Sequence, residues 1–129
     1  MSRKTTVAII GAGSIGVSFA IVFASSGFQV RVFDPSPDRR TAVPLELKSK
    51  VTCLVGSGLY NEQTEAILAR VSIFDSLGEA ITGADLIQEC GPERIELKRQ
   101  IFSELANVAD PNTVLASSSS AITASKINA

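Results

Sequence analysis

The stretch TVAIIGAGSIG, residues 6–16, decides the fold of this chain, because an apolar run passes directly into glycines spaced G-x-G-x-x-G. A β-branched run that ends in glycine is typical of a buried parallel strand. Gly11 allows a tight turn out of the strand, and Gly13, which has no Cβ, allows a pyrophosphate group to approach its backbone closely. Gly16 allows the next helix to pack closely on the strand. The stretch therefore predicts a strand, a tight turn and a helix.

A helix and a second strand follow from the residues after this turn. Large apolar residues recur at helical spacing, and Gly27 stands where a helix commonly ends. The recurring residues are Ile15, Phe19, Val22 and Phe23. The run VRVF, residues 30–33, is rich in β-branched and aromatic residues, which predicts the second strand.

Asp34 ends this second strand and follows the last glycine at about the 20-residue spacing of dinucleotide-binding motifs. In such motifs the acidic residue accepts the ribose hydroxyls, and the helix N-terminus faces the pyrophosphate. Glycines alone are weak evidence, but the order of elements and the acid make the motif specific. We predict a dinucleotide site formed by Gly11, Gly13, Ser14, Ile15, Gly16 and Asp34. A site for FAD or another adenine nucleotide is the alternative.

Asp34 also favours NAD over NADP. A 2′-phosphate placed ~4 Å from its carboxylate is disfavoured by about 4 kcal/mol per charge pair at an effective dielectric constant of 20. That energy is on the order of a thousandfold in affinity. Arg31, Arg39 and Arg40 lie close in sequence and can offset part of this repulsion. We predict NAD as the cofactor.

The beginning of the chain also has features of a secretory signal, since Arg3 and Lys4 precede an apolar stretch with small residues near Ala24 and Ser25. We reject this alternative, because a signal core gains nothing from glycines at this spacing, and its removal would leave Asp34 without its loop. No uninterrupted apolar run approaches the ~20 residues that a membrane span needs. We expect a cytoplasmic protein.

Helices alternate with short strands in the remaining sequence. We predict a turn at 35–38 and then a helix that breaks near Val43 and restarts at Pro44, because proline inside a helix costs about 3 kcal/mol. Glycines 56 and 58 end this helix. The further predicted elements are a short helix from a cap at Asn61 to Arg70, a strand at 71–74, a short helix capped by Asp75 or Ser76, a strand at 85–90, an amphipathic helix at 92–108 and a strand at 113–116.

This alternation predicts an α/β fold, namely a Rossmann-type, doubly wound, mainly parallel sheet of about five strands in a single domain of residues 1–129. Because parallel strands place their carboxyl ends at one edge, we expect Asp34, residues 88–93 and residues 117–120 to converge on one rim. The serine run 117–120 has the composition of a linker, but its position after a strand favours the rim.

Composition excludes several classes of function. The 129 residues contain 12 Lys and Arg against 13 Asp and Glu, and the net charge of -1 gives no field that would attract nucleic acid or an anionic membrane. The chain has no His, and Cys53 and Cys90 form no CxxC pair, so we predict no metal site and two partly buried thiols. Oxidation of an alcohol by a nicotinamide cofactor needs a base that takes the hydroxyl proton. Because the chain has no His, this base must be a Lys, Glu or Tyr or lie beyond Ala129.

Three segments resemble a known family. GAGSIG with Asp34, QECGPERIELKRQIF at 88–102 and ASSSSAITASKI at 116–127 resemble the amino-terminal half of the L-3-hydroxyacyl-CoA dehydrogenases. Within that family the resemblance is greatest to the lambda-crystallin and L-gulonate 3-dehydrogenase branch. It implies an NAD-binding Rossmann domain followed by a helical domain that forms a homodimer and completes the substrate cleft.

The resemblance also implies roles for individual residues. It places Glu93 and Lys98 near the nicotinamide and its ribose, Ser118 in the cofactor site, and Ser120 as the catalytic serine that hydrogen-bonds the reacting oxygen. The family's general base is a His paired with a Glu, and both would follow Ala129. We therefore expect the chain alone to bind NAD but to be inactive.

Ser118 stands where the acyl-CoA enzymes usually carry Asn, and Gly91 stands where they carry a more apolar residue. The shorter side chain of Ser118 favours the branch that acts on smaller 3-hydroxy acids. The expected small-molecule substrate is thus a 3-hydroxyacyl-CoA or a sugar acid such as L-gulonate. A non-enzymatic NAD-binding or crystallin-like module is the alternative from another class.

Overall fold

The computed structural model of the chain describes residues 5–60, 62–90, 103 and 114–117. Strands and helices alternate along these residues, as the sequence predicts. Their bounds are β1 Thr6–Ile10, α1 Ser14–Ser25, β2 Gln29–Phe33, α2 Pro37–Gly56, α3 Thr64–Leu68, β3 Val71–Phe74, α4 Leu77–Ile81, β4 Leu86–Glu89 and β5 Val114–Ser117.

The strands form one parallel sheet in the order β3-β2-β1-β4-β5. The chain moves outward from β1 in one direction to β3 and then returns to add β4 on the other side of β1, so the direction of winding reverses at β1. Such a reversal is where open α/β sheets bind ligands, at the carboxyl ends of the strands. The predicted α/β fold with a parallel sheet of about five strands is confirmed.

Strand β1 is buried along its whole length because helices cover both faces of the sheet. Val7 and Ile9 join the larger core cluster, which α1, α2 and α3 cover, whereas Ala8 and Ile10 join a second cluster with α4. Successive side chains of a strand point to opposite faces, so a strand buried between two layers needs apolar side chains on both faces. This burial explains the unbroken apolar run that precedes the glycines.

Helix α1 has the predicted position, but its large apolar residues do not all face the sheet. Ile15 and Val22 are 56% and 53% exposed, whereas Phe19 and Phe23 pack partly against the core. The side facing the sheet consists mostly of small residues, which allow the helix backbone to approach the strands. These buried residues are Gly16, Val17, Ala20, Ile21 and Ala24.

Helix α2 is continuous from Pro37 to Gly56, so the predicted break near Val43, before Pro44, is wrong. The predicted turn over 35–38 is shortened, because the chain bends at Pro35 but Pro37 and Asp38 already belong to the helix. Ser36 is the N-cap, and its hydroxyl accepts a hydrogen bond from the Arg39 backbone N–H at 3.4 Å. Val43 is fully buried and Leu47 nearly so, one turn apart on the same face, and an unbroken helix keeps them together. Burial of this stripe outweighs the cost of Pro44, which is exposed.

Most of the shorter elements agree with the sequence. Ser76 caps α4 as predicted, and strands β3, β4 and β5 lie within one residue of their predicted bounds. The cap of α3 is Gln63 rather than Asn61, and α3 is confined to Thr64–Leu68. The helix predicted over 92–108 lies outside the described residues, apart from Ser103, which is helical.

The two cysteines differ in environment: Cys53 is exposed and Cys90 is buried. The prediction of two partly buried thiols is therefore wrong in detail, because Cys53 lies on the outer face of α2. In the described part of the chain, no helix combines the length and apolar character needed to cross a membrane.

Candidate cofactor site

The turn after β1 brings the start of α1 close to the end of the strand. Gly11 has φ of 105°, a conformation that side chains rarely adopt, and its N–H donates to the Phe33 carbonyl at 2.8 Å. A Cβ on Gly16 would lie 1.8 Å from the Gly11 carbonyl oxygen. Only glycine at position 16 therefore allows the helix to start this close to the strand, as the motif predicts.

The N-terminus of α1 has the properties of an anion site. Gly13 is the N-cap and provides no side-chain acceptor, and the first turn contains no acidic residue. The first N–H groups of a helix have no partner within the helix. A Cβ on Gly13 would meet no atom within 4 Å, so space lies open beyond its backbone. Ser14 and Ile15 are exposed beside this space. Exposed N–H groups and the helix dipole favour a phosphate here.

Asp34 joins the glycine turn to the end of β2. Its Oδ2 accepts a hydrogen bond from the Ala12 N–H at 2.8 Å, and its Oδ1 accepts one from the Ser36 N–H at 2.9 Å. Each carboxylate oxygen has a further lone pair, so Asp34 can still accept hydroxyl groups. The carboxylate therefore shapes the loop and remains available to a ribose.

Arg39 contacts the same loop from α2, a contact that the sequence reasoning missed. Its Nε and Nη2 donate to the Ala12 carbonyl oxygen at 3.1 and 2.6 Å. Its Nη1 and Nη2 also bond both oxygens of the Glu46 carboxylate, at 2.8 and 2.9 Å. The Glu46 hydrogen bond raises the pKa of Arg39, and the Arg39 hydrogen bond lowers the pKa of Glu46. The seven-residue spacing, two helical turns, is the sequence signal for this pair.

The other two arginines near Asp34 in sequence are also engaged. Arg31 donates to the carbonyl oxygens of residues 79, 80 and 82, and its guanidinium lies over the Phe74 ring at 5.5 Å. Arg40 donates to the Asp34 carbonyl oxygen at 2.7 Å and lies over the Phe33 ring at 5.9 Å. Arg39 and Arg40 thus lie next to the predicted site, whereas Arg31 binds the end of α4.

An open groove of about 500 Å³ lies beside the start of α2. Arg40 links it to the Asp34 backbone, and Phe74 at the end of β3 contributes an aromatic ring. The lining residues are Pro37, Arg40, Thr41, Ile73, Phe74, Asp75 and Glu79. The groove extends the edge on which Asp34 lies.

The strand ends form one rim, as expected for parallel strands. The last residues of all the strands pair in register across the sheet, in the order Phe74, Phe33, Ile10, Glu89 and Ser117. The Cys90 N–H donates to the Ile10 carbonyl at 2.8 Å, so the chain leaving β4 passes beside the glycine turn. Among the predicted site residues, Glu93, Lys98, Ser118 and Ser120 lie outside the described residues.

Comparison with known proteins agrees with this geometry. The family model for the 3-hydroxyacyl-CoA dehydrogenase NAD binding domain matches residues 6–129. The chain belongs to this family. The family named from the sequence is therefore confirmed, and so is NAD as its cofactor.

Relatives and solved structures are similar over nearly the whole chain. A lambda-crystallin homolog of Bos taurus is 41% identical over 123 residues, which are 94% of this chain and 38% of the relative. The 3-hydroxyadipyl-CoA dehydrogenase of Escherichia coli is 34% identical over an alignment that covers 100% of this chain and 27% of the relative. The structure of a 3-hydroxybutyryl-CoA dehydrogenase from E. coli has a TM-score of 0.85 at 33% identity, over 99% of this chain and 27% of that one. The chain thus spans well under half the length of these proteins.

Proposed function

We propose that this chain is the NAD-holding part of an oxidoreductase that moves hydride from a carbon bearing an L-3-hydroxyl group to NAD. The observation that carries the proposal is the glycine turn, whose Ala12 N–H is held by Asp34 at 2.8 Å beside the uncapped N-terminus of α1. Family membership supports the same chemistry. Bound NAD supplies the hydride acceptor.

The described residues have distinct tasks in this proposal. N–H groups at the start of α1 hold the diphosphate, because Gly13, Ser14 and Ile15 are exposed at the positive end of the helix dipole. Asp34 accepts the hydroxyls of the adenosine ribose with its remaining lone pairs. The adenosine then extends toward the groove at Phe74, and the nicotinamide toward the ends of β4 and β5. This direction follows from Asp34 lying on the β2 side of the turn.

Four further residues are proposed from the family resemblance. Glu93 and Lys98 lie near the nicotinamide half, Ser118 belongs to the cofactor site, and Ser120 donates a hydrogen bond to the reacting oxygen. As hydride leaves the carbon, the hydroxyl proton must pass to a base, and this chain contains no His. We propose that a His, paired with a Glu and like it outside this chain, receives that proton.

The geometry supports NAD rather than NADP in this site. A 2′-phosphate would lie near the Asp34 carboxylate, and the Arg39 charge beside it is already paired with Glu46 at 2.8 Å. Among the described residues, Arg40 is the other cation next to Asp34, through its bond to the backbone carbonyl. Neither arginine fully offsets the repulsion that Asp34 exerts on a third phosphate.

Two substrate classes remain in the proposal. Relatives named as acyl-CoA dehydrogenases favour a 3-hydroxyacyl-CoA, whereas the lambda-crystallin homologs and Ser118 favour a small 3-hydroxy acid such as L-gulonate. The homodimer, the cytoplasmic location and the absence of nucleic-acid and membrane partners stay predictions. A non-enzymatic NAD-binding module is the second candidate, since the name lambda-crystallin also occurs among the relatives.

Titration of the chain with NADH, NADPH and FAD tests the cofactor, and assays with a 3-hydroxyacyl-CoA and with L-gulonate test turnover. We expect NADH to bind, flavin to bind more weakly, and neither substrate to be oxidised by this chain alone. Turnover should appear when a domain that carries the proposed His and Glu is joined to the chain. If the joined protein binds NADH and oxidises neither substrate class, the non-enzymatic module would be favoured.

Asp34→Ala should weaken NADH binding at least tenfold, since two accepted hydroxyl hydrogen bonds to a charged group are lost. The same substitution should also narrow the difference in affinity between NADH and NADPH. Asp38→Ala is the matched control, because Asp38 is exposed in the first turn of α2. An unchanged NADH to NADPH ratio in Asp34→Ala would contradict the role of Asp34.

A further inference from the structure

We propose that Arg39, anchored by Glu46, is a positioning residue that holds the Ala12–Gly13 peptide in the orientation needed to bind the cofactor diphosphate. The inference rests on the proposed cofactor site and explains how its loop is held. The Ala12 carbonyl oxygen and the Gly13 N–H belong to one peptide group, and they point in opposite directions because the peptide bond is trans.

The carbonyl side of this peptide is fixed by Arg39. Two guanidinium nitrogens lie 3.1 and 2.6 Å from the Ala12 oxygen, so the oxygen points toward α2. The N–H of Gly13 must then point away from α2, and Gly13 itself is exposed. A reversed peptide would instead present a carbonyl oxygen to the diphosphate and repel it. Arg39 thus favours the orientation that binds an anion.

Glu46 keeps Arg39 in place. Its carboxylate bonds Nη1 and Nη2 in a bidentate pair, which restricts the guanidinium in angle as well as distance. Asp34 holds the preceding N–H of Ala12 at 2.8 Å. Two side chains that follow β2 in the sequence therefore hold both the N–H and the carbonyl oxygen of Ala12.

Arg39→Met tests the proposal, because it removes the guanidinium and keeps an unbranched stem. NADH and ADP-ribose should bind roughly five- to tenfold more weakly, whereas adenosine, which lacks the diphosphate, should bind as in the wild type. Arg39→Lys should recover part of the loss, since one ammonium group can reach the carbonyl but cannot form the bidentate pair. Equal NADH affinity in Arg39→Met and the wild type would overturn the proposal.

Glu46→Ala separates positioning from direct contact of Arg39 with a phosphate. If Arg39 positions the loop, loss of its anchor should weaken NADH binding about two- to threefold. If Arg39 binds phosphate directly, removal of its carboxylate partner should strengthen NADH binding, and salt should then weaken binding more steeply. Tighter binding by Glu46→Ala would overturn the proposal, and this variant also serves if Arg39→Met does not fold.

Arg70→Met is the matched control, since Arg70 also bridges a carboxylate and a backbone carbonyl, at the other end of α1. Its NADH and ADP-ribose affinities should equal those of the wild type. A loss equal to that of Arg39→Met would show a general effect on folding and overturn the positioning role. Wild-type chain that binds no NADH would overturn the proposed function itself, which distinguishes that failure from failure of the Arg39 role.

Discussion

The two ends of helix α1 are held by the same kind of contact but serve different purposes. At the N-terminal end, Arg39 bridges Glu46 and the Ala12 carbonyl; at the C-terminal end, Arg70 bridges Glu62 and the Ala24 carbonyl, with Nη1 at 2.8 Å from that oxygen. Arg39 bonds a loop that precedes the helix, whereas Arg70 bonds a carbonyl of its last turn.

This difference follows from the electrostatics of a helix. Unpaired carbonyl groups and partial negative charge lie at the C-terminus, so Arg70 there satisfies the helix itself. Unpaired N–H groups lie at the N-terminus, where no N-cap side chain accepts a hydrogen bond and the first turn contains no acidic residue. Side chains of the protein thus bind the C-terminal end of α1, whereas the N–H groups at its N-terminal end can bind a ligand. Substitutions at the two ends should therefore affect different properties.

Gly16→Ala should have the largest effect, because its Cβ would overlap the Gly11 carbonyl at 1.8 Å and the helix would have to move off the strand. We expect loss of detectable NADH binding and destabilisation of about 3 kcal/mol. Gly27→Ala at the C-terminal end is the control, because Gly27 has φ of 94° but a Cβ added there would meet no atom within 4 Å. It should cost about 1 kcal/mol through backbone strain and leave NADH affinity unchanged. Urea denaturation and NADH titration measure both.

Arg70→Met should lower the free energy of unfolding by about 1 to 2 kcal/mol, since it removes charged hydrogen bonds from a partly buried site. The expected stability loss exceeds that of Arg39→Met, whose guanidinium is more exposed, with 35% of the side chain accessible against 19% for Arg70. Thermal denaturation of both variants measures the difference. A larger stability loss in Arg39→Met than in Arg70→Met would contradict the assignment of the two ends.

The smallest expected effect is the pH dependence of the Arg39 and Glu46 pair. Arg39 lowers the pKa of Glu46 below its ordinary value of 4.5, so the folded protein binds this proton less readily than the unfolded chain. The stabilisation is therefore present above pH 4.5 and is lost as the pH falls through the lowered folded value. The pair is one-third exposed, so solvent screens much of the effect.

Comparison of wild type with Glu46→Gln by urea denaturation between pH 3 and pH 7 measures this effect. The stability difference should be constant near neutral pH and should shrink as the solution is acidified below about pH 4.5. A difference that grows on acidification would have the wrong sign for a carboxylate with a lowered pKa.

Much of the fold was predictable from local patterns. Strand β1 could be found because both of its faces are buried and residues 7–10 are all apolar, and the glycine spacing located the turn and the acid beyond it. The break at Pro44 was predicted wrongly, because the local cost of proline was known but the burial of Val43 and Leu47 on one face was not. The exposed side of α1 was also missed, because Ile15 and Val22 are large and apolar and yet point away from the sheet.

The sequence by itself determined the order of elements, the glycine turn, Asp34 and the family, because each depends on residue types at short, fixed spacings. Tertiary structure alone decided which groups those residues contact. Asp34 and Arg39 hold the N–H and the carbonyl of the same residue, Ala12, and that meeting depends on the register of β1 against β2 and on the unbroken start of α2. Contacts between residues far apart in sequence leave no local pattern, since they arise only when the sheet and its helices pack together.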